Sequence, residues 1–148
     1  MESSLKNMVL VLFTITLLSS AAVGGVYMLT EEPIAQAKVA AVNNALKQVL
    51  PEYEATTSQD IEVNALPIKV HTATVADKAV GYAVESNSKN GFGGEVRLMV
   101  GFDTEGTILN INVLEQKETP GLGTKMADEG NVLLASLKDK NAAQINLT

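Results

Sequence analysis

The sequence contains no cysteine, no tryptophan and a single histidine, and aromatic residues make up only 4% of its 148 positions. Without cysteine this sequence cannot form disulfides or cysteine-ligated iron–sulfur clusters, or carry a lipid on an amino-terminal cysteine. A lone histidine, His71, excludes metal centres built from two or three histidines. It lies in an alternating segment, so we expect a surface residue of a strand.

Positive charge is also scarce. The chain has 11 lysine and arginine residues against 17 aspartate and glutamate residues, for a formal net charge of −6. This balance argues against nucleic acid as a partner and against adhesion to anionic lipid headgroups as the purpose of the domain.

A long uncharged stretch runs from Asn7 to Thr30. Roughly 24 residues at ~1.5 Å each span about 36 Å, which is enough to cross a hydrocarbon core of ~30 Å. Residues 1–30 are therefore predicted to be a single transmembrane anchor. A cleaved signal peptide stays open as the alternative, since Ser19-Ser20-Ala21 has the small residues of a cleavage site.

Charges on either side of this stretch predict its orientation. Lys6 and the free amino terminus precede it, whereas Glu31 and Glu32 follow it. This asymmetry favours the amino terminus inside and the following domain outside.

Residues 31–148 are predicted to form one α+β domain, with a mainly antiparallel sheet flanked by helices. Glu31-Glu32-Pro33 is typical of a helix start. Apolar residues then recur at helical spacing up to Pro51 and predict a face that covers the core, although a partner-binding helix is the alternative: Ile34, Ala37, Ala41, Val42, Ala45, Leu46 and Val49.

The sheet follows a polar segment, residues 52–65, that we expect to be a loop. From Ile68 the apolar period is two, with a turn at Ala76-Asp77-Lys78. Two further strands are predicted with inward-facing side chains, which are Val96, Leu98, Val100 and Phe102 in one and Leu109, Ile111 and Val113 in the other. Residues 126–137 are predicted to form a last helix, weakened by Gly130.

The segment after the last predicted strand has strong turn chemistry. Pro120 fixes φ at the second position of a tight turn, and Gly121 supplies the positive φ that a type II turn then requires. We expect the backbone amides here to face a polar ligand edge while Leu122 covers an apolar face. A plain connection between elements is the alternative.

Residues 117–123, Lys-Glu-Thr-Pro-Gly-Leu-Gly, resemble the signature loop of the membrane-anchored FMN-binding domains. That family includes the G subunit of the Rnf electron-transport complex and the C subunit of the sodium-pumping NADH:quinone reductase. A second similarity covers residues 90–103, where a glycine-rich turn leads into a strand that ends in Gly-Phe-Asp.

The resemblance implies FMN as cofactor and two segments that line it, which are Gly91, Phe92, Gly93 and Gly94 in one and Glu118, Thr119, Leu122 and Gly123 in the other. A hairpin turn with a bulge is the alternative for the first segment. No catalytic or metal-binding residue is expected, since a flavin supplies its own redox chemistry.

The family's attachment motif, Ser/Thr-Gly-Ala-Thr, is absent from the sequence. No residue of 1–148 is therefore assigned as the covalent FMN site, and we expect the attachment threonine to lie beyond the chain and the FMN-binding domain to be incomplete at its carboxyl end.

By resemblance, the chain is expected to be the flavin-carrying electron relay of an ion-translocating ferredoxin:NAD oxidoreductase of the Rnf type. It would be a single-pass protein of the inner membrane, with other membrane subunits and the lipid bilayer as partners. The alternatives are the C subunit of the sodium-pumping quinone reductase and a membrane-tethered assembly module without flavin.

Overall fold

The computed structural model describes residues 4–63, 66–128 and 130–145. Their contacts divide the chain into two compact units, Met1–Ala40 and Ala41–Thr148. One helix, α1 (Leu5–Val49), contributes to both units.

The first unit is the amino-terminal part of α1, and it has the length and composition of a membrane span. Its most apolar 18-residue stretch has a mean hydropathy of 2.2. The hydroxyls of Thr14 and Thr30 donate to the carbonyls of Leu10 and Val26, each at 2.8 Å. These bonds satisfy the hydroxyls without water, as a helix in hydrocarbon requires.

Pro33 lies inside α1, so the predicted helix start at Glu31-Glu32-Pro33 is wrong. A proline in a helix interior removes one backbone hydrogen bond and costs about 3 kcal/mol. The turns on both sides continue the helix despite this cost. Of the predicted apolar stripe, only Ala45, Leu46 and Val49 are buried and Val42 is partly buried, whereas Ile34 is exposed.

The second unit is an antiparallel sheet with the last turns of α1 on one face. Five strands follow one another in the order β1-β2-β3-β4-β5, each paired with its neighbour in sequence. They are β1 (Ala55–Val63), β2 (Leu66–Val75), β3 (Lys78–Ser88), β4 (Val96–Phe102) and β5 (Ile108–Glu115). The predicted α+β class and the mainly antiparallel sheet are confirmed.

Strand β1 occupies most of the segment that was predicted to be a loop, so that prediction is wrong. Every residue of β1 is exposed, and among the described strands β1 is an edge strand paired with β2. An exposed edge strand needs no apolar alternation, and its β-branched threonines suit an extended backbone. The predicted turn at Ala76 and Asp77 is confirmed, with positive φ at both residues.

The core lies where α1 meets the small residues of the sheet. Ala45, Leu46, Val49 and Leu50 pack on Ala73, Ala83 and Met99. This is the opposite face from the one predicted for β4 and β5, although Val96 is buried as predicted. A Cβ on Gly101 would overlap the carbonyl oxygen of Val49, and one on Gly81 would lie 3.2 Å from the Pro51 ring. The helix selects the face on which its backbone can approach closely.

The other face of the sheet carries the larger side chains. Val70, Val84, Val100 and Ile111 are direct neighbours across four strands, and all four are only half-buried.

The chain after β5 is mostly turns and short helices. A 3₁₀ helix covers Gly123–Ala127, α2 covers Val132–Leu137 and a second 3₁₀ helix covers Ala142–Gln144. The helix predicted over residues 126–137 is therefore wrong over residues 126–128, 130 and 131, and residue 129 lies outside the described residues. Asn131 caps α2 by accepting from the amides of Leu133 and Leu134 at 2.9 and 3.1 Å, so α2 begins only after this residue.

We expect Gly101→Ala to lower the free energy of unfolding of the second unit by about 2 kcal/mol, because the new Cβ would overlap a backbone oxygen that cannot swing away. Gly130→Ala is the matched control, since no atom of another described residue lies within 4 Å of a Cβ there. Urea unfolding of both variants checks this. Equal midpoints for the two would contradict the close approach of α1 to β4.

Candidate functional site

Antiparallel pairing of β4 and β5 brings the two predicted flavin-lining segments together. Arg97, near the start of β4, pairs with Glu115, the last residue of β5. The residues that precede β4 therefore lie beside those that follow β5. A Cβ on Gly93 would overlap the carbonyl oxygen of Lys117, so the two backbones touch at this position.

We call residues 91–94 the glycine loop and residues 119–124 the proline turn. The proline turn has the predicted type II features. Gly121 has a φ of +77°, and the amide of Leu122 donates to the carbonyl of Thr119 at 3.2 Å. The same carbonyl accepts from the amides of Gly123 and Thr124 at 2.9 and 3.3 Å.

Four amides of the proline turn, those of residues 121–124, donate within the turn itself. In addition to the three bonds to Thr119, the amide of Gly121 donates to Oγ1 of Thr124 at 3.0 Å. The expectation that these amides face a polar ligand edge is therefore wrong. The turn instead presents an apolar side chain, since Leu122 is 75% exposed.

The glycine loop presents an apolar side chain in a similar way. Phe92 is 94% exposed. The amide of the next residue, Gly93, donates to Oε1 of Glu118 at 3.2 Å. Glu118 is half-buried and lies between the glycine loop and the proline turn.

The structure thus places the predicted residues in two segments that both contact Glu118. Gly91, Phe92, Gly93 and Gly94 lie in the loop before β4, and Thr119, Leu122 and Gly123 lie in the turn after β5. Glu118 connects them. Their contact with FMN remains a prediction.

Sequence reasoning missed an ionic network on the helix-covered face beside this region. Arg97, the only arginine of the chain, pairs with Glu85 of β3 and lies 3.5 Å from Oε2 of Glu115. Its hydrogen bond with Glu85 raises the pKa of the guanidinium above its ordinary value. The guanidinium is thus paired with two carboxylates. The signal in the sequence was a lone arginine that alternates with apolar residues in β4.

His71 belongs to the same network and is not the surface residue that was predicted. It is 4% exposed. Its Nδ1 lies 2.8 Å from the Ser58 hydroxyl, and its Nε2 lies 3.6 Å from Oε2 of Glu85 without a hydrogen bond. His71 lies on the same face of the sheet as Ala73, on which α1 packs. Ser58 of β1 and Glu85 of β3 lie next to its ring on the two neighbouring strands.

The exposed groups of this region test whether FMN fits. Phe92 and Leu122 offer apolar surface that suits the face of a flavin ring. The phosphate is less well served, because the turn amides are occupied and Arg97 is paired. Lys117 and Lys125 are both exposed, and Lys117 lies 4.0 Å from a Glu115 oxygen. The two segments therefore offer apolar surface for the ring of FMN, and the exposed ammonium groups of Lys117 and Lys125 are cations available for its phosphate.

Comparison with known proteins agrees with the interpretation of these segments as part of an FMN-binding domain. Residues 91–146 match the model of the FMN-binding domain family, so the match begins at the glycine loop and includes the proline turn. The G subunit of the ion-translocating oxidoreductase complex of Haemophilus influenzae is 32% identical over 120 residues, covering 76% of this chain and 58% of the relative.

Two further relatives carry similar names. The G subunit of the ion-translocating oxidoreductase complex of Shewanella amazonensis is 29% identical, covering 95% of this chain and 70% of the relative. The G subunit of the Na(+)-translocating ferredoxin:NAD(+) oxidoreductase complex of Acetobacterium woodii is 29% identical, covering 82% and 65%. This chain is thus similar to these G subunits over most of its own length. It spans 58% of the length of the Haemophilus relative.

The predicted family resemblance and the FMN-binding domain are thereby confirmed. FMN is the cofactor that this type of domain binds. The relatives are named as subunits of complexes.

We expect Arg97→Met to lower the free energy of unfolding by about 1–2 kcal/mol, because it leaves Glu85 and Glu115 without their cation in a partly buried setting. Lys69→Met is the control, since its ion pair with Asp60 is exposed and such pairs contribute little. Adding Glu85→Gln to Arg97→Met should recover part of the loss. Denaturant unfolding measures all three, and equal effects of the two single changes would refute the network.

Proposed function

We propose that this chain is the flavin-carrying electron relay of an ion-translocating ferredoxin:NAD oxidoreductase complex. The observation that supports this best is the coincidence of two findings. The FMN-binding family match begins at the glycine loop, and the fold brings that loop against Lys117 and Glu118, directly before the proline turn. The names of the relatives supply the type of complex.

The residues of the two segments would hold the flavin ring. Bound FMN supplies the capacity to accept and donate electrons. Leu122 and Phe92 would cover apolar ring surface, while the proline turn keeps its shape through its own hydrogen bonds. The amides of Gly93 and Gly121 and the carbonyl of Thr119 are already hydrogen-bonded within the protein. Shape complementarity and apolar contacts would therefore contribute most of the affinity for the ring.

The anchor would place this carrier at the inner membrane. In this proposal residues 1–30 cross the bilayer once, and residues 31–148 form the FMN-binding domain on the outer side. Lys6 before the span and Glu31 and Glu32 after it support this orientation. Other membrane subunits would be the neighbours that deliver and receive electrons.

Two other functions were open from the sequence. Against the C subunit of the sodium-pumping quinone reductase stand the names of the relatives, which are G subunits. A tethered assembly module without flavin is the remaining alternative. It predicts a protein that contains no flavin.

We expect Leu122→Asp to shift the flavin midpoint potential by about 30 mV, which corresponds to a tenfold change in equilibrium for a two-electron couple, or to remove the flavin. A carboxylate against the ring is poorly solvated there and repels the added negative charge. The measurement uses protein expressed from its own gene and purified from membranes, with redox titration and flavin content as readouts.

Leu133→Asp is the matched control, because Leu133 is 67% exposed on α2, outside both segments. Its potential and flavin content should equal those of the unsubstituted protein. Identical values for Leu122→Asp would exclude the proline turn from the site. Purified protein without any flavin would favour the assembly module.

A further inference from the structure

We propose that Glu118 is a positioning residue that ties the glycine loop to the proline turn and thereby sets the separation of Phe92 and Leu122. This rests on the proposed function, since those two side chains are its flavin-covering surface. It assigns Glu118 a role through the protein backbone, whereas the sequence suggested that Glu118 lines the flavin.

A hydrogen bond joins Glu118 to the glycine loop. Its Oε1 accepts from the amide of Gly93 at 3.2 Å. The backbone of Glu118 is itself held, because its amide donates to Oε1 of Gln116 at 2.7 Å. The carboxylate therefore reaches the loop from a fixed position.

Steric contact joins Glu118 to both segments. A Cβ on Gly91 would lie 2.6 Å from its Oε1, and a Cβ on Gly123 would lie 2.5 Å from its Cβ. A Cβ on Gly93 would lie 3.0 Å from its Cα. Real Cβ atoms rarely tolerate such distances, so the three glycines make room for Glu118 and its backbone.

The contacts flank the two exposed apolar residues. Phe92 stands between Gly91 and Gly93, and Leu122 directly precedes Gly123. Any movement of Glu118 away from these glycines would change how far Phe92 lies from Leu122. A flat ring accepts only a narrow range of such distances, because dispersion contacts fade within an ångström.

The first experiment measures the contact between Glu118 and the glycine loop, and it does not depend on bound flavin. Hydrogen–deuterium exchange of residues 89–95 in the whole chain should rise about tenfold in Glu118→Ala, which removes the acceptor of the Gly93 amide. Glu118→Gln keeps an acceptor of the same reach and should stay near the unsubstituted rate. Glu105→Ala is the control, because it removes an exposed glutamate of the turn between β4 and β5.

A second variant acts on the tie from the other side. Gly123→Ala should push Glu118 aside and raise exchange in residues 89–95, although it lies about 30 positions away in sequence. Gly130→Ala is the matched control, with open space at its Cβ. Unchanged exchange in the β3 segment shows that each variant is folded. Unchanged exchange of residues 89–95 in either Glu118→Ala or Gly123→Ala would overturn the proposal.

The flavin supplies an independent readout of the positioning role. In protein purified from membranes, Glu118→Ala should shift the midpoint potential or lower the flavin content, and Glu118→Gln should restore both. A loosened loop with an unchanged flavin would overturn the positioning role. A shift in Glu118→Gln with a protected loop would also overturn it, in favour of direct contact. Absence of flavin from the unsubstituted protein would refute the proposed function, while the exchange rates would still decide the tie.

Discussion

The second unit depends on one close approach, that of the last turn of α1 to the backbone of β3 and β4. Gly101 permits it beneath the carbonyl of Val49, and Gly81 permits it beneath Pro51. The approach decides which face of the sheet is the core. It also brings Gln48 next to β5. The backbone carbonyl of Gln48 accepts from the side-chain amide of Asn110, and its side-chain oxygen accepts from that of Asn112. The end of the helix is therefore hydrogen-bonded to β5 as well. A helix on larger side chains would stand farther away and lose these bonds.

The strands could be predicted from their period, but the core face could not. In β4, Leu98 and Val100 were expected to face inward, whereas Met99 is the fully buried residue. Size alone favours the larger side chains, and only the helix geometry reveals that small residues were needed beneath it. Edge strand β1 escaped prediction because a strand that is exposed on both faces has no apolar alternation to detect. The helix start predicted at Pro33 was wrong, because proline usually occurs in the first turn of a helix, whereas here it lies within one.

The two segments of the candidate site were identified from the sequence, but the way they join was not. Turn chemistry correctly predicted the positive φ of Gly121. The same glycines also suggested room for a ligand, and at Gly91, Gly93 and Gly123 that room is filled in large part by Glu118 and the backbone of Lys117. A glycine in the sequence indicates that another group approaches the backbone closely, but it does not indicate whether that group is a ligand or another part of the protein. The engagement of Arg97 by two carboxylates likewise depends on three strands that only the fold brings side by side.

The hydrogen bonds within the proline turn have a consequence for the affinity of this segment for a ligand. Four amides, from Gly121 to Thr124, find their acceptors inside the turn, so its shape exists before any ligand arrives. Binding then requires no ordering of this segment, and little conformational entropy is lost on that account. A ligand that meets Leu122 encounters a surface already in place, and the free energy of contact is retained as affinity instead of being consumed in closing a flexible loop.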